Sequence, residues 1–254
     1  MSLAPALAQT EREEVQPVLL DILKSDPDYR VRCNVIQALG YMNYEQVKEE
    51  VRLYLSDRNI HVGISAGQFF IDHGLNADAT KYRRWAKDTL PWQVQMKLYH
   101  AANRHIPLYF EQSLNLINYE LKQRFSRTEN PHEKAACLLA LAELPWNYKV
   151  ISEEGLSSSL PLVRTTAVKA IGKICAYPEF DRFFGVSRRR VSRELAELIK
   201  QAVQSGDVGQ IAEAADIIKA GHLPFRNLWE DYQFVEEALE ALPMPQAIES
   251  HYKL

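Results

Sequence analysis

A short residue pattern recurs five times along this chain, and its spacing limits the possible folds more than any other feature. The copies begin at Val31, Val62, Val94, Glu133 and Val163, so their first residues lie 31, 32, 39 and 30 positions apart. A near-constant period of this length is typical of proteins that stack similar structural units, rather than of a single enzyme core. We therefore expect function to reside on a surface that several units share.

Each copy has the periodicity of a helix. In the first copy, the apolar residues at positions 31, 35, 38, 39 and 42 fall within an arc of roughly 80° at about 100° per residue, which is wide enough to bury one helix face. Further apolar segments of helical period precede the copies, and turns such as residues 25–28 and 56–59 lie between the two. The Asp, Asn and Pro residues of these turns end one helix and cap the next. The sequence therefore predicts an all-α chain of helix–turn–helix units.

The first and last copies agree best. Both read Val-Arg followed by small and apolar residues and both end in glycine, at residues 31–40 and 163–172. This pattern, with Asp28 at the preceding turn, resembles the HEAT-like repeat family over roughly residues 12–175. The resemblance implies an α-solenoid of five antiparallel helix pairs over residues 11–176, wound into a right-handed superhelix. Because the aspartate and arginine do not recur in every copy, the Asp–Arg ladder that often joins such repeats is not expected throughout.

The repeat pattern changes after residue 176, and we expect residues 177–254 to form a C-terminal helical cap. The predicted helices run from about Ser187 to Gln204, from about Asp207 to Lys219 and from Trp229 to Leu242. A cap covers the apolar face that the last repeat would otherwise expose to water. Residues 207–210 are also candidates for the start of a sixth, eroded repeat. Helical spacing continues to Leu254 without a stop signal, so we expect the chain to be part of a longer protein.

Composition indicates a soluble interaction protein. The chain has 46% hydrophobic and 25% charged residues but only ten glycines, which suits a continuous helical core better than an α/β enzyme. No run of about 18 apolar residues exists, so we expect no membrane span. The net charge of −3 gives no long-range attraction to polyanions. Cys33, Cys137 and Cys175 fall on second helices, where we expect buried free thiols; this suits a cytoplasmic location, with the periplasm as the alternative.

A candidate binding surface follows from the repeat geometry. In HEAT-like solenoids the second helices line the concave side, and positions equivalent to 34, 37 and 41 would lie on one face, away from the buried stripe. These rows include Ser65 and Thr166, and they grade from neutral and acidic to basic. We expect this face to bind a protein or an extended peptide. The predicted contact residues are Asn34, Gln37, Tyr41, Gln68, Asp72, Lys97, His100, Arg104, Lys169 and Lys173.

An arginine cluster gives a second candidate site. Arg188, Arg189, Arg190 and Arg193 form the densest charge cluster of the chain and are candidates for anion binding. HEAT-like DNA glycosylases grip a duplex with basic side chains on the concave face, so nucleic-acid binding is an alternative function. Arginines at a helix surface are most often simply solvated, and an acidic peptide would suit them as well as a phosphate. We therefore expect a protein partner rather than a nucleic acid.

No catalytic or metal-binding motif occurs in the sequence. Phosphate loops, nucleophile elbows and His-Glu-x-x-His patterns are missing, and no motif of the HEAT-like lyases that act on bilin proteins is found. His100 and His105 are about 140° apart around a helix, so they do not face one ligand. We predict no catalytic residue, no metal and no cofactor for this segment.

A second, weaker resemblance concerns the parent chain. Residues 160–164 and the tail at 234–249 are similar to the helical region of large bacterial peptidyl-prolyl cis-trans isomerases, in which a cyclophilin-like catalytic domain accompanies the repeats. No part of this chain resembles that domain. We therefore predict a non-catalytic protein-binding scaffold. The alternative is a repeat region that holds client chains for a covalently attached isomerase domain.

Overall fold

The computed structural model describes residues 14–86 and 89–220, and every regular element in these ranges is helical. The all-α class is therefore confirmed for this part of the chain. The predicted helix from Trp229 to Leu242, and the helical spacing that continues to Leu254, lie outside the described residues. The chain divides into two compact units, Met1–Glu129 (unit 1) and Asn130–Leu254 (unit 2).

Within the described residues, unit 1 contains three helix pairs and one further helix. The helices are α1 (Val15–Ser25), α2 (Tyr29–Leu39), α3 (Tyr44–Leu53), α4 (Ile60–His73), α5 (Ala79–Trp85), α6 (Trp92–His105) and α7 (Glu111–Arg127). The copies that begin at Val31, Val62 and Val94 fall on α2, α4 and α6, as predicted for second helices.

Short polar side chains cap the N-termini of α2 and α4. Asp28 Oδ1 accepts a hydrogen bond from the backbone N–H of Arg30 at the start of α2 (2.9 Å), and Asn59 Oδ1 accepts one from His61 at the start of α4 (3.0 Å). These side chains satisfy N–H groups that have no partner inside the helix. The predicted capping role of the Asp and Asn residues is therefore confirmed.

Packing of second helices on one another builds the core of unit 1. α2 packs against α1 and α4, and α4 packs in turn against α6. On α2, Val35, Ala38 and Leu39 are at most 1% exposed, whereas Val31 and Met42 at the ends of the predicted stripe are half-buried. A second helix is therefore covered by its own partner and by the next repeat, which no isolated pair could provide.

The arginine of the repeat pattern ties one repeat to the next. Arg32 Nη1 donates to the backbone oxygens of Asp26 (3.0 Å) and Pro27 (3.2 Å), and Arg32 Nη2 lies 3.2 Å from Asp57 Oδ1 in the following turn. Both charged side chains are nearly buried, at 9% and 12% exposure. A buried ion pair of this kind needs its additional hydrogen bonds to offset the cost of desolvation.

Other residues fill the arginine position in the next two copies. Gly63 leaves room for close packing, since a Cβ there would lie 3.0 Å from Val94 Cγ2. Gln95 keeps part of the arginine's role, because its Nε2 donates to the oxygen of Leu90 (2.7 Å) while its Oε1 accepts from Arg124 Nη1 (2.6 Å). Close packing at Gly63 and hydrogen bonds of Gln95 therefore replace the Asp–Arg ladder in these two copies, as expected from the sequence.

Unit 2 shows the same kind of packing among its own helices. Its helices are α8 (Pro131–Leu141), α9 (Tyr148–Val150, followed by a π-helical turn at Ile151–Gly155), α10 (Pro161–Cys175), α11 (Phe180–Phe184), α12 (Arg188–Gln204) and α13 (Val208–Lys219). α10 packs against α8 and α13, and α12 packs against α13. The boundary predicted between the repeats and the C-terminal cap, at residues 176/177, lies within this unit.

Arg164 on α10 repeats the contacts of Arg32. Its Nη1 donates to the oxygen of Ser158 (2.9 Å), and its Nη2 donates to Asp207 Oδ2 at the start of α13 (2.9 Å). Gly172 lets the two helices approach, because a Cβ there would overlap the side chain of Ile217. α13 therefore packs on α10 much as α4 packs on α2.

Two first helices are shorter than the repeat pattern predicts. In the third pair, α5 has only seven residues and follows a 3₁₀ turn at Asn76–Asp78. In unit 2, α9 changes to a π-helical turn, and Gly155 in this turn allows the side chains of Leu138 and Ala167 to approach. At these two places the first helix of the pair is therefore shortened and is joined to a 3₁₀ or π-helical turn.

The Arg32–Asp57 pair gives a stability prediction. Asp57→Asn keeps an oxygen for the Asn59 N–H but leaves the buried guanidinium without a counter-charge, so we expect a loss of about 1–3 kcal/mol in the free energy of unfolding. In an Arg32→Met background, the same substitution should cost much less. Urea unfolding followed by circular dichroism measures both. Asp28→Asn, in the exposed Asp28–Arg30 pair, should change little; additive losses from Asp57→Asn and Arg32→Met would contradict the proposed coupling.

Candidate protein-binding groove

A groove lies between α2 and α4, the second helices of the first two repeats. Its volume is about 270 Å³. The lining residues are Cys33, Asn34, Ile36, Gln37, Ser65, Gln68, Phe69, Asp72 and His73. Ile36 and Phe69 form a buried apolar floor, at 0% and 3% exposure. Four of the ten predicted contact residues, Asn34, Gln37, Gln68 and Asp72, are therefore brought together here.

A chain of hydrogen bonds runs from α6 to the edge of this groove. Lys97 Nζ donates to Gln68 Oε1 (2.6 Å), and Gln68 Nε2 donates to both carboxylate oxygens of Asp72 (2.9 Å each). Gly67 makes room for Lys97, since a Cβ at Gly67 would lie 2.6 Å from Lys97 Cβ. Burial lowers the pKa of Lys97, although the attraction of Asp72 opposes this shift. Gln68 thus links the ammonium group of Lys97 to the carboxylate of Asp72 through hydrogen bonds.

Three polar groups of the groove remain available to a ligand. Asn34, Gln37 and Ser65 form no side-chain hydrogen bond with any residue in the described ranges. Asn34 and Ser65 are half-buried, and Gln37 is exposed. Each carboxamide offers both donors and an acceptor, and the hydroxyl offers one of each kind. The groove can therefore form several neutral hydrogen bonds at once.

The other predicted residues of unit 1 do not line this groove. α2 ends at Leu39, and the hydrogen bond from Tyr41 N to the oxygen of Ala38 (3.0 Å) closes a tighter turn. Tyr41 therefore lies in the turn after α2 rather than on the helix face, with 54% of its surface exposed. His100 is half-buried on α6, and Arg104 is exposed near the end of that helix.

The predicted basic end of the second-helix face is different in the structure. Lys169 Nζ lies 3.6 Å from Glu213 Oε1, and Lys173 forms an ion pair with Glu143. Thr166, in the same row, is buried and donates to the backbone oxygen of Leu162. Glu213 on α13 and Glu143 in the turn after α8 supply the carboxylates, so the expected basic character is largely neutralised. Sequence spacing along one helix could not reveal these partners.

The arginine cluster at the start of α12 is also partly neutralised. Arg188 pairs with Asp181 (2.8 Å), and Arg190 Nε lies 3.8 Å from Glu194 Oε1. Arg189 and Arg193 are exposed and have no partner among the described residues. Arg193 lines a cleft of about 550 Å³, together with residues that include three glutamates: Tyr148, Lys149, Ser152, Glu153, Glu194, Glu197 and Leu198. This mixture of charges does not favour phosphate binding.

A buried polar cluster between α3 and α5 was not predicted from the sequence. Asp78 is 1% exposed and accepts hydrogen bonds from Lys81 (2.6 Å), Lys48 (2.9 Å) and Tyr44 (3.1 Å). The hydroxyls of Tyr44 and Tyr82 lie 2.6 Å apart. Along the sequence, only Asp78 and Lys81 are close enough to suggest a contact, since they are three residues apart. The cluster joins the first helices of two successive repeats.

Electrostatics explain why Asp78 is ionised inside the protein. Burial raises its pKa, but the hydrogen bonds from Lys81, Lys48 and Tyr44 together outweigh this effect and hold the pKa below its usual value. Burial also raises the pKa of Tyr44, and the hydrogen bond with Tyr82 adds to the shift. Each polar group of the cluster has a hydrogen-bonding partner within it, which indicates a structural role rather than a catalytic one.

The cysteines form no disulfide. Cys137 and Cys175 are buried free thiols, as predicted, whereas Cys33 is half-buried because it lies at the groove. Burial raises the pKa of the Cys175 thiol to about 12. Within residues 14–86 and 89–220, no group of three or more His, Cys, Asp or Glu side chains could hold a metal ion. None of the helices described is both long and apolar enough to cross a lipid bilayer.

Comparison with known proteins supports the repeat interpretation. A family model described as HEAT repeats matches residues 6–101. This span includes both helices of the groove and Lys97 on α6. The match gives no support for the weaker resemblance to peptidyl-prolyl isomerases. No curated protein matches the chain.

The Asp78 cluster predicts a pH-dependent contribution to stability. Because the folded pKa of Asp78 lies below its unfolded value, the carboxylate stabilises the fold above about pH 4, and this contribution is lost as pH falls through the folded pKa. Asp78→Asn should therefore cost about 2–3 kcal/mol at neutral pH. The difference from wild type should shrink in acid.

Urea unfolding at several pH values measures this difference. Glu49→Gln, which alters an exposed pair with Arg52, serves as the control and should leave the acid dependence unchanged. An Asp78→Asn loss that stayed constant down to the lowest pH would show that the carboxylate's charge contributes nothing.

Proposed function

We propose that this chain, a HEAT-like helical repeat protein, is a non-catalytic scaffold that binds a polypeptide partner on the second helices of unit 1. The groove between α2 and α4 is the observation that carries the proposal. It combines an apolar floor of Ile36 and Phe69 with unpaired hydrogen-bonding groups on Asn34, Gln37 and Ser65. Because both floor residues are already buried, the polar groups supply the specific contacts, and a few placed polar groups in an apolar lining are the usual basis of specific recognition.

The repeat architecture supports a macromolecular partner. HEAT repeats commonly mediate protein interactions, since stacked helices present one extended surface rather than a closed pocket. Residues from α2 and α4 meet at the groove, and Lys97 of α6 reaches its edge through Gln68. A partner that follows this surface would contact three successive repeats. The predicted concave face thus has its best candidate in unit 1.

The groups near the groove favour binding over chemistry. Asp72 is held by Gln68, and Lys97 is held by the same side chain, so neither is positioned as a general base. Elsewhere, burial raises the pKa values of Tyr99 and Tyr148 to about 12, and carboxylates add to both shifts. Such hydroxyls stay neutral at physiological pH. The three free thiols suit a reducing compartment, which agrees with the cytoplasmic location inferred from the sequence.

Filling the groove should weaken partner binding. A library of random linear peptides is panned against the immobilised chain, and enriched peptides are measured with wild type and with Ser65→Trp. We expect the indole to occupy the groove and to weaken binding by about tenfold or more. Ser126→Trp, at an exposed position on α7, is the matched control and should change affinity less than about twofold. Circular dichroism confirms that both variants are folded.

Two outcomes would reject the proposal. One is that no peptide is enriched above the blank surface. The other is that enriched peptides bind Ser65→Trp as tightly as they bind wild type, because the binding site would then lie elsewhere.

The non-catalytic assignment predicts a negative result in an isomerase assay. Prolyl cis–trans isomerisation is slow without a catalyst, taking tens to hundreds of seconds at 25 °C. We expect the chain, added to a proline-containing peptide, to leave this rate unchanged. Acceleration that grows with protein concentration would contradict the non-catalytic assignment. A cyclophilin assayed in parallel shows that the substrate is competent.

A further inference from the structure

We infer that the segment bound in the α2–α4 groove is an extended, uncharged stretch of polypeptide that is recognised mainly through its peptide groups. This inference rests on the proposed function and deepens it. It assigns the chemistry of the partner from three properties of the groove, namely its charge balance, its unpaired hydrogen-bonding groups and its dimensions.

The charges at the groove compensate one another. Asp72 is the only carboxylate of the lining, and Lys97 lies at the other end of the Gln68 bridge that holds it. The remaining titratable groups of the lining are Cys33 and His73, and the ring of His73 packs against Phe69 at a centroid distance of 5.4 Å. A strongly acidic or strongly basic segment would therefore gain little from ion pairing here, while it would lose hydration.

The unpaired groups match a peptide bond. A peptide unit has one N–H donor and one C=O acceptor, and a carboxamide side chain can satisfy both. Asn34 and Gln37 lie one helical turn apart on α2, and Ser65 lies opposite them on α4. A main chain that passes between the two helices could thus exchange hydrogen bonds with both walls. Because those groups belong to the partner's backbone, recognition would depend little on its side-chain charges.

The dimensions suit a short extended stretch. The lining residues of α4 run from Ser65 to His73, which is about 12 Å at 1.5 Å per residue. An extended chain advances about 3.3 Å per residue, so three or four residues span this length. The volume of about 270 Å³ lies below the range of about 300–1,000 Å³ that is typical of small-molecule pockets. Little room remains beyond the backbone, so the inserted residues should have small side chains.

The experiment uses peptides that were selected on the wild-type chain and that bind the Ser65→Trp variant much more weakly. Their affinity is measured at about 50 and about 500 mM NaCl, a range over which screening of surface charges changes strongly. Each peptide is also made with one central peptide nitrogen methylated, which removes a single N–H donor. We expect less than about a twofold change with salt and at least about a tenfold loss on methylation. Sequencing should show small, uncharged residues at the centre.

Variants of the chain test the carboxamides directly. Asn34→Leu and Gln37→Met keep the approximate volume but remove the hydrogen-bonding groups, and each should weaken binding by about fivefold or more. Gln46→Met, an exposed glutamine on α3, is the matched control and should have no effect.

The two proposals can fail separately. If groove-dependent peptides are charged, lose affinity steeply with salt, tolerate methylation, or bind Asn34→Leu and Gln37→Met normally, then recognition through neutral peptide groups is wrong while the scaffold function stands. If peptide binding does not depend on the groove at all, both proposals are overturned.

Discussion

The structure depends on one constraint, which is that no helix pair has enough apolar partners within itself. On α2, Val35, Ala38 and Leu39 are almost completely buried, and that burial requires both α1 and α4. At about 25 cal/mol per Å² of apolar surface, such side chains contribute most of the stabilisation available to a repeat. Each pair therefore needs a neighbour. This is why the repeat pattern consists of small and apolar residues rather than of chemically reactive ones.

Close packing explains the polar and small residues that the pattern preserves. The guanidinium groups of Arg32 and Arg164 bind turn oxygens of their own repeats and a carboxylate of the next. Gly40 and Gly172 occupy the same position in the two copies, and a Cβ at either would overlap a side chain of the following second helix. The Val-Arg residues at the start of the pattern and the glycine at its end thus both serve the interface between repeats. None of them lines the binding groove.

The groove consists of what this packing leaves uncovered. Once the apolar stripe of α2 is buried, Asn34 and Gln37 remain toward the gap with α4, where Ser65 faces them. In unit 2, by contrast, Lys169 pairs with Glu213 on α13, and Lys173 pairs with Glu143 in the turn after α8. The arginines of α12 also lie among acidic side chains. The groove of unit 1 is therefore lined by neutral groups without a side-chain partner among the described residues, which makes hydrogen bonding a better basis for recognition there than charge.

The sequence by itself determined the helical class, the positions of the second helices and the capping residues, because periodicity and turn chemistry act over a few neighbouring positions. It also identified Asn34, Gln37, Gln68 and Asp72 as a possible surface, since these positions are polar on a regular helix.

Only the tertiary structure decided which charges remain available. Glu143 and Glu213 neutralise the predicted lysines, Gln68 joins Lys97 to Asp72, and Asp78 gathers two lysines and a tyrosine into a buried cluster. Most of these partners are about 30 or more residues apart in the chain. Long-range pairing depends on how the helices pack, and the local patterns of a single sequence do not contain that information.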